Sequence, residues 1–222
     1  MSRAYDAAVF DLDGTIVDNI PWHLQAWVEM GRKLGADISP ERFEREFSGR
    51  RNEEIFPAVA GRPMEPAELA LLAAEKEARY RALYAPHLRL LEGAEALLQR
   101  LADAAVRCAI ASAAPADNRA FVLGGLQLHA RFSAVVGAEA VQRGKPFPDL
   151  FLAAAAAIQV PPARCLAFED AVLGVQAART AGMDVVALTT TTSAAALSEA
   201  GARWTAPHFA ALPGEVLARL GL

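Results

Sequence analysis

Residues 4–15 read AYDAAVFDLDGT, a short apolar run from Ala4 to Phe10 that breaks into Asp11-Leu12-Asp13-Gly14-Thr15. Its aromatic and β-branched members predict a strand, and Asp13-Gly14 predicts the turn that ends it. Two carboxylates two positions apart leave that strand together, where a turn can aim both at one point. Like charges so close repel, so the pair implies either a cation between them or one carboxyl that keeps its proton. A divalent ion with oxygen ligands meets the first need, and a ready general acid meets the second. The plain alternative is an ordinary Asp-Gly turn on a hairpin, and the rest of the chain has to decide.

Three later runs have the same character, Val106 to Ala111, Cys165 to Phe168 and Val185 to Leu188, with a fourth candidate at Ala134 to Gly137. Each is short and almost continuously apolar, as strands covered on both faces are. Between them lie helical stretches at Ala94 to Ala102, Asn118 to Leu126, Leu150 to Ile158 and Val172 to Ala181, the last stopped by Gly182. This alternation predicts an α/β fold, a doubly wound parallel sheet with helices on both faces. Active sites of such sheets lie at the carboxyl ends of the strands. Residues 19–84 break the pattern, because Trp22 to Leu34, Ser39 to Phe47, Glu53 to Val59 and Glu65 to Tyr84 all read as helix. Ser39-Pro40 has the chemistry of a helix start. The expected architecture is therefore the sheet with an inserted all-helical cap over its carboxyl edge.

Composition narrows the classes of function. At 222 residues and 54% apolar content the chain can bury a sizeable core, so disorder is not expected. With 22 basic against 26 acidic residues the net charge is −4, which gives no electrostatic basis for holding nucleic acid or an acidic membrane. The longest apolar stretch, Leu150 to Ile158, is too short to span a bilayer. Asp6, Asp11 and Asp13 sit where a secretory signal needs an uncharged segment, so a cytoplasmic protein is expected, acting as a monomer. Cys108 and Cys165 lie in apolar runs with no CxxC and read as inert core thiols.

Other polar residues fall at strand ends. Ser112 follows the strand Val106 to Ala111, and the small residues Ala113-Ala114-Pro115 after it let backbone amides, Ala113 first, face an anion. Lys145 stands in Gly144-Lys145-Pro146-Phe147-Pro148-Asp149, stiffened by two prolines; it is no Walker lysine, because no Ser or Thr follows it. Glu169-Asp170 closes the strand Cys165 to Phe168. Each has an ordinary reading, as turn serine, loop lysine or helix cap. Their conjunction in this order at one sheet edge is what carries weight.

The segments FDLDGT, ASAAP, GKPFPDLF and FEDAVLGVQAARTAGM resemble the four signature motifs of the haloacid dehalogenase (HAD) superfamily, over Val9 to Met183. The helical insert resembles the cap of its β-phosphoglucomutase-like branch. The resemblance implies a Rossmann-like HAD core from residues 1–17 and 86–222, and a cap from 18–85. It implies Asp11 as nucleophile, Asp13 as general acid and base, Ser112 as phosphate ligand and Lys145 as charge anchor. It implies Mg²⁺ held by Asp11, the backbone carbonyl of Asp13 and Asp170, with Glu169 contributing directly or through water. The physics of phosphoryl transfer asks for the same parts, since an anionic carboxylate attacks a phosphate ester only when cations neutralise the transferring group.

His23, Trp27 and Lys76 fall where the mutase-like pattern places a histidine, a tryptophan and a cap lysine, which favours a sugar-sized polar substrate. Core packing for Trp27, a solvated face for Lys76 and a capping or buried role for His23 are the alternatives. Gly49-Arg50-Arg51-Asn52 carries asparagine where mutases of the branch carry arginine, leaving Arg50 or Arg51 to reach a distant anion; Asn19 replaces a threonine, and the loop after Ser112 lacks a lysine. A mutase must hold a bisphosphate and exclude water, so hydrolysis of a small phosphate ester is expected ahead of hexose-phosphate mutation. A non-catalytic phospho-accepting regulator would also bring acidic residues, a hydroxyl and a lysine to a parallel sheet, but such domains have no helical insert after the first strand.

Overall fold

The computed structural model describes residues 3–222. Six parallel strands, β1 (Ala7–Phe10), β2 (Arg107–Ser112), β3 (Ala134–Gly137), β4 (Cys165–Glu169), β5 (Asp184–Leu188) and β6 (Trp204–Ala206), form a sheet in the order β3-β2-β1-β4-β5-β6. All of β1 is buried, and its side chains alternate between two apolar layers: Ala8 and Phe10 face one, Ala7 and Val9 the other. That is why the strand reads as continuously apolar. Phe10 stacks on Phe168 with centroids 4.7 Å apart, which ties the two central strands together.

The chain passes from β1 to β2 and β3 on one side, then returns to lay β4, β5 and β6 on the other. The order reverses between β1 and β4, where open α/β sheets form their binding crevice. Register places Phe10 opposite Phe168, and the Asp11 N–H donates to the Phe168 carbonyl at 2.9 Å. Asp11 and Glu169-Asp170 are thereby brought to one edge although they lie at opposite ends of the sequence.

Four helices intervene between β1 and the rest: α1 (Ile20–Leu34), α2 (Pro40–Glu46), α3 (Asn52–Ala60) and α4 (Pro66–Tyr84). They share an apolar cluster of their own, with Trp27, Met30, Phe43, Phe47 and Phe56 at its centre. Ser39 Oγ accepts from the Arg42 N–H at 3.1 Å, as the Ser39-Pro40 start requires. The two connections to the sheet run side by side, with Val17 bridged to Leu90 and the Leu91 N–H donating to Ile16 O at 2.9 Å. The remaining helices, α5 (Ala94–Asp103), α6 (Ala116–Gly125), α7 (Asp149–Ala157), α8 (Val172–Thr180), α9 (Ala194–Glu199) and α10 (Gly214–Leu220), cover the sheet.

Some boundaries differ from those the sequence suggests. β1 begins at Ala7 rather than Ala4, because the N–H groups of Ala4 and Tyr5 both donate to Arg219 O in the last turn of the C-terminal helix. α1 begins at Ile20 rather than Trp22: Pro21 falls in the first turn, where its missing N–H has no partner to lose. β6, α9 and α10 are additional. No helix among the described residues is long and apolar enough to cross a membrane. Cys108 and Cys165 are buried free thiols, and burial pushes them up to about 12 and about 11. They suit the inert role expected of them.

Candidate active site

At the β1–β4 crevice, Lys145 Nζ donates to Asp11 Oδ1 at 2.6 Å and also to Glu169 Oε1. All three side chains are buried. Glu169 Oε2 accepts from the N–H groups of Asp170 (2.8 Å) and Ala171 (2.9 Å), so this carboxylate shapes the turn after β4 and fixes Lys145 at once. Gly174 in α8 makes room for it, since a Cβ there would stand 1.8 Å from Glu169 Oε1. Asp170 does not cap α8, whose N-cap is Ala171. Its Oδ1 accepts from Thr15 Oγ1 at 3.2 Å and its Oδ2 from Thr191 Oγ1, over the loop that follows β1. Gly14, with φ of +75°, must lack a side chain here, because a Cβ would meet Asp170 Oδ2 at 2.1 Å.

Ser112 is the last residue of β2, buried, and its Oγ accepts from the Ala114 N–H at 3.0 Å. That turn leaves the hydroxyl proton free to donate into the crevice. Asp13 Oδ1 accepts from Asn19 Nδ2 at 2.6 Å, and His23 Nε2 lies 3.9 Å from Asp13 Oδ2, beyond hydrogen-bond reach. Asn19 also accepts from the Gly14 N–H at 3.0 Å, so the residue replacing the expected threonine braces the whole turn.

The two carboxyls of the DxD pair are driven in opposite directions. Burial pushes Asp11 up to about 7; the Lys145 charge pulls it down, while Glu169 and Asp13 push it further up. Burial also opposes ionisation of Asp13, yet His23 and the Asn19 amide outweigh it and hold its carboxyl below the ordinary value. For Asp170, burial and then the charges of Glu169 and Asp11 raise the carboxyl well above its ordinary range.

Three buried carboxyls, Asp11, Glu169 and Asp170, thus meet beside one buried ammonium, which contacts the first two and leaves Asp170 to the Thr15 and Thr191 hydroxyls. This surplus of oxygen donors fits a hard divalent cation. Among the described residues no group of three or more His, Cys, Asp or Glu side chains is placed to hold a metal ion by itself. Two carboxylates and a carbonyl suit Mg²⁺, which keeps several of its waters. Lys145 and two backbone amides already engage the Glu169 oxygens.

The crevice opens into a cavity of about 420 Å³ beneath the helical insert. Its walls bring together Asp11, Asp13, Ser112, Ala113, Lys145, Glu169 and Asp170 from the sheet edge and His23, Trp27, Arg51, Asn52 and Lys76 from the insert. Trp27 does double duty, packing on Phe47 and Phe56 while lining the cavity. Lys76 is buried rather than solvated: its Nζ lies 3.0 Å from both His23 Nδ1 and Glu77 Oε1, and 5.0 Å from the Trp27 ring centroid. His23 stacks on Tyr80 at 3.7 Å.

Glu77, Asn118 and Thr191 were not singled out by the sequence, and Thr15 entered only as the last residue of the first motif. Glu77 accepts from Asn52 Nδ2 (2.8 Å) on the insert and from Asn118 Nδ2 (2.7 Å) on α6, joining insert to sheet domain. Burial opposes its ionisation, but the Lys76 and His23 charges and the two amides bring it from 4.5 down to about 2. A carboxyl lowered on folding stabilises above its unfolded value and loses that contribution as pH falls toward its folded one. We therefore expect stability to fall between pH 4.5 and about 2, and Glu77→Gln to flatten that acid limb in urea titrations run across the window. An unchanged limb would remove Glu77 as its source.

Residues 5–182 match the family of haloacid dehalogenase-like hydrolases. The chain belongs to that family. It is 33% identical over 205 residues to validoxylamine A 7′-phosphate phosphatase of Streptomyces hygroscopicus subsp. limoneus, covering 88% of this chain and 91% of that one. It is 33% identical to β-phosphoglucomutase of Bacillus subtilis, covering 81% of each. The crystal structure of β-phosphoglucomutase from Clostridium difficile superposes with a TM-score of 0.86 at 25% identity, over 98% of this chain and 97% of that one. The haloacid dehalogenase-like hydrolase described here thus lies in the β-phosphoglucomutase-like branch, with the α/β core that its motifs imply.

Proposed function

We propose that this phosphoric monoester hydrolase is a Mg²⁺-dependent phosphatase for a small phosphorylated metabolite, a sugar phosphate in class, working through a phospho-Asp11 intermediate. The observation that supports it most is the meeting of Asp11, Asp170, Lys145 and Ser112 in one buried crevice at the sheet-edge side of the cavity. In this reading residues 1–17 and 86–222 form the catalytic core and 18–85 the cap, in a cytoplasmic monomer. Asp11, Asp170 and the Asp13 carbonyl would hold Mg²⁺, which supplies positive charge to the transferring phosphoryl group and favours the ionised form of Asp11.

The chain's own groups do the rest. Lys145 and the Ser112 hydroxyl hold phosphate oxygens while an Asp11 oxygen attacks phosphorus and the ester P–O bond breaks. Asp13 gives its proton to the departing alkoxide, then takes one from the water that attacks the aspartyl-phosphate, releasing inorganic phosphate and restoring Asp11. A phosphate dianion beside Asp13 raises that carboxyl, which allows the proton to reside there.

We expect phosphate release from sugar phosphates and p-nitrophenyl phosphate with Mg²⁺, falling to background when EDTA is added and returning with excess Mg²⁺. Activity indifferent to chelation would overturn the metal's role. A phosphomutase is the runner-up, given the family branch. Against it, Asn52 sits where mutases carry a cationic anchor, and its amide is engaged by Glu77. Incubation with β-glucose 1-phosphate and a bisphosphate primer distinguishes the two: inorganic phosphate marks the phosphatase, glucose 6-phosphate the mutase.

A further inference from the structure

Arg51 stands at the N-cap of α3, in the loop that brings the insert down over the sheet. Its backbone N–H donates to Glu54 Oε2 at 3.1 Å, but its guanidinium has no acceptor, and Nε and Nη2 are both buried without a partner. The other arginines among the described residues that lack an acceptor, Arg32, Arg50, Arg89 and Arg100, are exposed, where water serves them. Arg51 alone hides an unused fork. Glu139 lies within electrostatic reach, yet Arg119 occupies both of its oxygens. Gly144 shapes the slot, since a Cβ there would stand 2.9 Å from Arg51 Nε and 3.5 Å from Nη2. Ser48 Oγ, three residues earlier, is likewise buried and unpaired, and both residues line the cavity that holds Asp11.

Buried donors left without acceptors are costly and call for a partner. The chemistry of the missing partner follows from what is already claimed. Lys145 is engaged by Asp11 and Glu169, and Lys76 by Glu77, so the unpaired buried donors of the cavity wall here are the Arg51 guanidinium and the Ser48 hydroxyl, with the exposed Arg50 beside them. Arg50 and Arg51 are matched on the walls by Glu53 and Glu139, so no net positive charge favours a second phosphate dianion there. The planar Nε/Nη2 edge instead matches the two oxygens of a carboxylate.

We infer that Arg51 and Ser48 recognise a carboxylate at the end of the substrate remote from its phosphate, so that the substrate class is a phosphorylated polyhydroxy acid. This rests on the phosphatase reading above. Gluconate 6-phosphate and glucitol 6-phosphate differ only in carrying a carboxylate or a CH₂OH at carbon 1, and glucitol 1,6-bisphosphate offers a phosphate there. We expect kcat/KM for the acid to exceed that for the alditol by about tenfold or more. In Arg51→Gln the acid-to-alditol ratio should fall to within about twofold of unity, which general damage to the fold would not produce. A wild-type ratio near one, a ratio that survives the substitution, or a preference for the bisphosphate over the acid would each overturn the assignment. Should no ester be hydrolysed, the phosphatase reading fails by itself. Calorimetry then decides the carboxylate site separately: in Asp11→Asn, tighter binding of the acid than of the alditol, lost when Arg51→Gln is added, supports it, and equal binding rejects it.

Discussion

Asp11→Asn should reduce phosphate release by about 10⁴-fold or more, the scale on which loss of a covalent nucleophile is felt. An amide cannot form the acyl-phosphate, and no neighbouring carboxylate can replace it: Glu169 is held by Lys145 and two amides, and Asp170 by two threonine hydroxyls. The fold should tolerate the change. Asparagine is isosteric with the carboxyl it replaces, and Lys145 keeps Glu169 as a buried partner. Steady-state phosphate release alongside thermal unfolding makes the comparison. Activity within tenfold of wild type would remove Asp11 from its role, whatever the unfolding curve shows.

Lys145→Met is expected to act on stability as strongly as on turnover. Lys145 is buried, and the charges of Asp11 and Glu169 hold its ammonium above the ordinary lysine value although burial works the other way. Without it, Asp11 and Glu169 are left adjacent and uncompensated, a loss of about 3–5 kcal/mol for a buried pair broken on one side. Asp11 must then keep its proton in the folded state. A carboxyl whose value is raised on folding stabilises at low pH and loses that contribution as pH rises through the raised value. The deficit should therefore widen as pH climbs through about 7, the value Asp11 holds even with Lys145 beside it. Urea midpoints across that range measure it. Adding Glu169→Gln should recover part of the stability and none of the activity. A mutant as stable as wild type at pH 8 would show that the pair is not the source of the strain.

Much of this arrangement was legible because the strands that carry it are apolar on both faces. Ala7 to Phe10 and Cys165 to Glu169 have no polar face to hide, so the acids that end them stand out as strand-end residues. The insert was legible because four helical patterns interrupt an alternation, and the motif set placed both within a family. What escaped has a common cause. β6 is a three-residue strand, Trp204–Ala206, too short for any periodicity to register. Asn118 reads as one more polar residue at a helix start, and only packing shows it gripping Glu77 from the insert while accepting from Arg81 at 2.8 Å. Thr191 lies in a run of hydroxyl residues that signals a loop; its hold on Asp170 depends on β5 lying beside β4. Arg51 reads from the sequence as a cation able to reach a distant anion, and its lack of any acceptor appears once its surroundings are known.

The central place of β1 also bears on how the protein is made. On a ribosome, Phe10 emerges early, yet one flank of its strand stays bare until residues 165–169 have been translated, since β4 supplies that side. Early synthesis can settle the helices that follow β1, which bury Trp27 and Phe56 among themselves, and the β2 flank next. The acidic crevice closes late in translation, so a nascent chain halted before Asp170 would display Asp11 with neither its matching acid nor the wall behind it.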